Sequence, residues 1–420
     1  MARNRVIYQS EALFVNKQYS GGKTVDIVDH AWRMPAVGGN SLESGMFHQI
    51  HRVQSANYNF AINRTDVNQF GQLARIDTAV IEAPTVGLDF TYLVTDGTNE
   101  DKLGITVDPS NTETAANCGA LSGLLANASG RNYHILTVKE GDDANIKDAT
   151  AGSDPAATST VISIGNGFIT NYSVSAAVGS LPTASISVEG LNITAATAGA
   201  GLATPAIDPD AGTEGTATFT LPTPRTGEVG QILRPGDMTI KFLSDEGASA
   251  SDPSLMSVLT DSSSANGAHI QNFSLDVPLG RSVIQRLGNA FGFAREVDFP
   301  VTVSMSVSAV VADLKAGILF DELYDTSKHT IAVLMNKPVA GGSSVGSDNG
   351  QIAYILRNCT LESESFSSSI GDNKSVDMTF TATVGGATDS VNGLFISGTQ
   401  CGSDGAAGNP VPDNSFRIES

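Results

Sequence analysis

Val53-Gln54-Ser55-Ala56-Asn57-Tyr58-Asn59-Phe60, followed by Arg64, Val67, Phe70 and Gly71, is a pattern this chain uses twice. The second copy is Ile270-Gln271-Asn272-Phe273-Ser274-Leu275-Asp276-Val277, followed by Arg281, Ile284, Leu287 and Gly288, 217 residues further on. The two windows keep apolar, Arg and Gly classes in register without a gap, the signature of an internal duplication. After a small shift in spacing both reach Ala-Arg (Ala74-Arg75, Ala294-Arg295), an Asp (Asp77, Asp298), a Pro (Pro84, Pro300) and a strand-like run. A duplicated unit with no catalytic constellation around it reads as an assembly protein.

Working outward, Tyr58-x-Phe60-x-Ile62 alternates as a half-buried strand does and pairs with Val86-x-Leu88-x-Phe90-x-Tyr92. Between them Val67, Phe70 and Ala74 stand three and four apart, which predicts a short helix or turn. The second copy matches, ending in Val301-x-Val303-x-Met305-x-Val307. Each copy is followed by a hairpin pattern. The first joins Ile169-x-Asn171-Tyr172-x-Val174 to Ala184-x-Ile186-x-Val188; the second joins Leu356-x-Asn358-Cys359-x-Leu361 to Val376-x-Met378-x-Phe380, with a connection five residues longer. The order A-B-A′-B′ predicts an N-terminal arm (1–45), a first domain (46–245), a second domain (246–390) and a C-terminal extension (391–420). Polar, turn-rich stretches at 110–160 and 196–230 read as loop-rich insertions in the first domain or as a small, loop-rich β subdomain.

Of 420 residues only 16% are charged, and Gly is abundant, which suits strands joined by small-residue loops. A formal charge of −20 argues against a surface built to hold phosphate backbones. It serves either solubility or repulsion of nucleic acid. Cys118, Cys359 and Cys401 are far apart and odd in number, without CxxC or metal-ligand spacing. Met1 to Ser10 lacks the apolar core of a signal peptide, and no apolar run reaches the length of a membrane span.

The six histidines include no HExxH; His48 and His51, three apart on a strand, would face opposite ways. There is no GxSxG or P-loop. Asp96 to Asp101 lacks the ligand alternation of a calcium loop and reads as a solvated turn. Glu362 and Glu364 flank Ser363 on an apparent strand and read as a solvated face. No enzyme, cofactor or metal site is expected. Three residues stand out as candidate subunit contacts. Arg64 and Arg281 recur at one position of the repeat, and either pair across a subunit seam or lie exposed at a turn. The lone Trp32 either anchors in a neighbour's groove or packs locally.

Arg52 to Phe60 with Asn68-Gln69-Phe70-Gly71-Gln72-Leu73-Ala74-Arg75 resembles the major tail proteins of long-tailed bacteriophages. So do Gly167 to Val174, Pro278 to Asp298 with its Arg-Glu-Val-Asp-Phe-Pro ending, and Ser365 to Asn373. These blocks and their flanking strands span about half the chain. The resemblance implies a mostly β fold: tandem tail-tube-type sandwich or partial-barrel domains, each with a short helix, assembling into a closed β-barrel ring. It implies a structural virion protein, made in the host bacterial cytoplasm, whose stacked rings conduct DNA into the host without binding it specifically. Its partners would be other copies of itself, in hexameric or trimeric pseudo-hexameric rings, and other tail proteins. The A-B-A′-B′ order resembles the trimeric, fused kind. The competing reading is a secreted β-rich surface protein or adhesin.

Overall fold

The computed structural model describes residues 11–17, 48–82, 84–107, 119–126, 130–138, 144, 159–197, 202–203, 218–219, 232–244, 269–284, 287, 294–310, 328–336, 350–367, 375–386, 389 and 391–398. The first half holds β1 (Glu11–Lys17), β2 (His48–Ile50), β3 (Val53–Ala61), β4 (Arg64–Val67), β5 (Asp77–Val80), β6 (Thr85–Leu93), α1 (Thr98–Leu103) and α2 (Ser122–Ala126). It continues with β7 (Arg131–Thr137), β8 (Thr160–Ala177), β9 (Thr183–Gly190), β10 (Asn192–Thr197), β11 (Leu202–Ala203) and β12 (Thr218–Phe219). The second half holds β13 (Met238–Ser244), β14 (His269–Pro278), β15 (Arg281–Ile284), β16 (Ala294–Val297), β17 (Thr302–Val310), β18 (His329–Asn336), β19 (Gly350–Ser367), β20 (Ser375–Thr383) and β21 (Gly393–Gly398).

One eight-stranded antiparallel sheet runs through both halves in the order β3-β6-β9-β8-β14-β17-β20-β19. On β6, β9, β17 and β20 every second residue is buried, and the intervening positions are mostly Ser, Thr and Asp. This period-2 pattern gives one apolar and one polar face. The apolar face is covered by two outer layers, β2-β1-β7-β8-β10 and β13-β18-β19-β21. The 18-residue strands β8 and β19 each serve both an outer layer and the long sheet. They change layer beside bulges at Thr170 and Glu362, where the extra residue bends the strand. One hydrophobic core, from Leu13 to Ile396, fills the space between.

The duplication can be read in the registers. The bulges of β3 and β14 fall at Gln54 and Gln271, 217 residues apart. The hairpins β4–β5 (Arg64↔Val80) and β15–β16 (Arg281↔Val297) keep the same offset. The Ala-Arg, Asp and Pro matches drawn with a shift are therefore not equivalent in space: Ala294 stands where Asp77 does, not Ala74. The hairpin pair β8–β9 and β19–β20 shares an offset of 192, set by the bulges at Thr170 and Glu362. Matching Ile169 to Leu356 placed the first half of one long strand on the second half of the other. With Ile169 matched to Leu361, the five-residue difference in turn length disappears.

Other expectations are corrected too. Val67 to Ala74 forms no helix: Val67 ends β4, and Phe70 and Leu73 stand fully exposed in the turn to β5, with no core for a helical face to meet. Gly71, at φ +86°, supplies that turn's left-handed residue. The helices α1 and α2 instead follow β6. The sheet of one chain is open; a closed barrel is expected only of the assembled ring. The stretch 110–160 is no mere insertion, because β7 lies in it between β1 and β8. Its run Asn132 to Leu136 is buried on both faces, so no alternation marked it as a strand. The expected arm contains β1, paired with β7, and the expected extension contains β21, paired with β19. β13, inside 46–245, pairs with β18.

Candidate assembly interface

The two halves of the long sheet meet where β8 pairs with β14, from Asn171↔Pro278 to Ala177↔Asn272. Backbone bonds extend this seam at both ends: Leu279 N–H donates to Thr170 O (2.8 Å) and Val178 N–H to Gln271 O (2.9 Å). Arg281, at the start of β15, reaches across it. Its Nε donates to the Ile169 carbonyl (3.3 Å), and its guanidinium lies 5.0 Å from the centre of the Phe168 ring. Arg295 of β16 also faces that ring, at 5.8 Å, and its Nη2 lies 3.1 Å from Glu189 Oε1. Both arginines thus tie the second half's short hairpin to the first half's sheet, through a cation–π platform and an ion pair.

Behind the seam sits a buried polar cluster. Glu100 Oε1 accepts from the hydroxyls of Tyr92 (2.8 Å), Tyr172 (3.3 Å) and Tyr354 (3.4 Å), and the last two hydroxyls are 3.1 Å apart. Burial pushes the Glu100 carboxyl above its usual range while the tyrosine donors pull it back. The same burial, with the carboxylate alongside, holds the Tyr92 phenol well above its usual value, so it stays a donor. Tyr354 comes from β19, so the cluster joins the two halves. α1 is fixed over the cluster by Asn99, whose amide exchanges hydrogen bonds with the backbone of His51 (2.9 and 3.0 Å). Asp96 to Asp101 is therefore not a solvated turn: Asp96, Asn99 and Glu100 are buried. The residue types held the clue. Tyr92 and Tyr172 occupy apolar-face positions, and a buried tyrosine hydroxyl needs a partner.

The ends of the long sheet lack what its middle has. Among the described residues, β3 pairs only with β6, and the second half of β19 only with β20. On β3 and just beyond it the apolar-face residues Tyr58, Phe60 and Ile62 are 42%, 47% and 41% exposed. Their counterparts at the seam, Leu275, Val277 and Leu279, are all at 0%. At the other end the bulge at Glu362 breaks the alternation, so Ser363 faces the polar side with Thr379 and Glu364 the apolar side with Met378. Glu364 is thus not on a solvated face. Neither carboxylate oxygen has a hydrogen-bond partner among the described residues, and burial raises its pKa.

The eight segments of the long sheet contain no Lys or Arg, while Asp89, Glu189, Asp276, Glu362, Glu364 and Asp377 lie in them. Asp89, Asp276 and Asp377 share the polar face with rows of Ser and Thr, and Ser308 donates to Asp377 there. Of the candidate contacts, Arg281 lies at the seam and Arg64 is exposed at the equivalent place beside the open edge. The structure does not bring the two together. Trp32 lies outside the described residues. Among the described residues no His/Cys/Asp/Glu group is placed to hold a metal ion, and no helix is long and apolar enough to cross a membrane. His48 and His51 are held near pKa 3 by burial and the neighbouring Lys102 charge.

No family model matches the chain, and no curated protein matches it. Among solved structures, a crystal structure of an Hcp protein aligns at 10% identity over 38% of this chain and 98% of that one, with a TM-score of 0.22. A likeness that loose guides neither fold nor function.

Proposed function

We propose that this chain is the ring-forming subunit of a tail tube, a non-enzymatic structural protein of a phage virion. Its two repeat units run from 11 to 197 and from 238 to 398. The observation that carries this reading is the contrast within one sheet: a completed seam in the middle and, among the described residues, matching open edges at both ends. An edge strand with exposed Tyr58, Phe60 and Ile62 is an aggregation hazard unless a neighbour covers it. Head-to-tail joining of the two edges is heterologous and closes only as a ring. With two units per chain, three copies give six units and 24 strands. At ~4.8 Å per strand and a tilt of ~40°, the opposed backbones stand roughly 48 Å apart, leaving room for a DNA duplex.

The polar face then becomes the channel wall. A lumen of Ser, Thr and carboxylates without cations offers phosphates no counter-charge, so passing DNA is not held. The β4–β5 and β15–β16 hairpins expose Phe70 and Leu287, at equivalent positions, for contact with the next ring. Electron microscopy of the purified chain tests the reading. Threefold rings or tubes with a central pore are expected; a chain that stays monomeric at high concentration overturns it and favours the surface-protein alternative.

A further inference from the structure

We infer that the ring-closing seam is a registered copy of the in-chain seam, with β19 of one copy paired to β3 of the next and Arg64 as its clamp. The inference rests on the ring reading above and adds the residue pairs. The in-chain seam joins β8 to β14, and their equivalents at the open ends are β19 and β3, at offsets of 192 and 217. The same bulges fix both offsets, so no sliding freedom remains. Ser175↔Ser274 becomes Ser367 opposite Asn57 of the partner, Val174↔Leu275 becomes Phe366 opposite Tyr58, and Ser173↔Asp276 becomes Ser365 opposite Asn59. The parity holds: Phe366 and Tyr58 both point to the apolar side, which a one-residue slip would invert. Arg281 donates to the Ile169 carbonyl, so Arg64 donates to the carbonyl of Leu361 in the adjoining copy.

The test is disulfide trapping in a chain whose Cys118 and Cys401 are replaced by Ser; Cys359 is buried and stays. Asn57→Cys with Ser367→Cys, oxidised after assembly, should give covalent species of up to three copies on a non-reducing gel. Asn57→Cys with Ser365→Cys, two residues out of register, should give few. Ser175→Cys with Ser274→Cys is the in-chain control and should close within one chain. Rings that cross-link through the out-of-register pair, or through neither, overturn the register while leaving ring formation standing. Sedimentation of the unsubstituted chain as a monomer overturns both. Arg64→Ala should raise the critical concentration for assembly roughly tenfold, the worth of one hydrogen bond, with an unchanged monomer melting curve. An unchanged critical concentration removes Arg64 from the seam.

Discussion

β3 and β14 are two copies of one strand in different surroundings. They share a bulge at the same position, the same parity of faces and the same hairpin beyond their C-terminal ends. Yet three apolar residues on or just after β3 are about two-fifths exposed, and their counterparts on or just after β14 are sealed. The exposures of the following hairpins hardly differ: Val67 is at 44% and Ile284 at 40%, Phe70 at 106% and Leu287 at 104%. The difference is thus confined to the residues that β8 covers on one side and that no described strand covers on the other. Two kinds of exposed apolar surface follow, one awaiting a strand and one present in both units whatever their neighbours.

The sharpest way to break the comparison is to place one charge in both strands. Leu275→Glu buries an unpaired carboxylate in the core and should prevent folding, since even Leu→Ala there costs about 2–5 kcal/mol. Tyr58→Glu, at the equivalent place, should fold with a melting temperature close to the parent and yet form no rings. Circular dichroism and sedimentation separate the two. If Tyr58→Glu still assembled with the parent's critical concentration, β3 would not be an assembly edge. Full burial of Tyr58 and Phe60 is worth roughly 2 kcal/mol each, from ~200 Å² per aromatic, about half exposed, at ~25 cal/mol per Å².

The Glu100 cluster sharpens the same contrast, because it ties the two halves together behind the seam. Glu100→Leu removes the acceptor of three buried hydroxyls and should cost about 2–3 kcal/mol. Tyr354→Phe removes the one donor from the second half and should cost about 1 kcal/mol. Denaturant titration reads both. A smaller loss for Glu100→Leu than for Tyr354→Phe would mean the carboxylate is not the hub.

How much of this was legible in the sequence depends on the alternation. Strands with one buried face, such as β6, β9, β17 and β20, could be read directly. β7 could not, because burial on both faces erases the period. Bulges misled twice: the one at Glu362 moved Glu364 to the apolar side, and the layer change within β8 and β19 hid their true register. The repeat marked Arg64 and Arg281 as equivalent. Only the fold shows that one of them spans a seam while the other waits beside an open edge. The Glu100 cluster required knowing that a six-residue helix packs beside β1 and β2 and sends Glu100 to Tyr172 of β8, which no local pattern encodes.

A third contrast lies in the outer layers. His134 pairs with Ser163, its Nδ1 2.8 Å from the hydroxyl, where the second half has Ala332 opposite Ile355. Burial holds His134 near pKa 3, below the 6.5 of an unfolded chain. Its contribution is therefore full above about pH 6.5 and is lost as pH falls toward 3, at ~1.4 kcal/mol per unit. Melting temperature should drop between pH 6.5 and 4.5. The double variant His134→Ala with Ser163→Ile, which installs the second half's pair, should flatten that slope. Glu100, with its pKa raised, works in the opposite direction, so a slope unchanged by the double variant would assign the acid sensitivity to His48 and His51.

The smallest effect on the isolated chain is expected at the hairpin tips. Phe70→Ser and Leu287→Ser replace fully exposed side chains, so each should change stability by less than about 0.5 kcal/mol. Tube length is where they should differ from edge variants. If the tips join successive rings, the double variant forms closed rings that no longer stack, seen as isolated discs rather than tubes. Edge variants lose rings and tubes together, because stacking presupposes closure. Should the tip variant make tubes of the parent's length, the apolar residues at the tips serve neither closure nor stacking. The repeat of Phe70 by Leu287 would then be an inheritance of the hairpin rather than a contact.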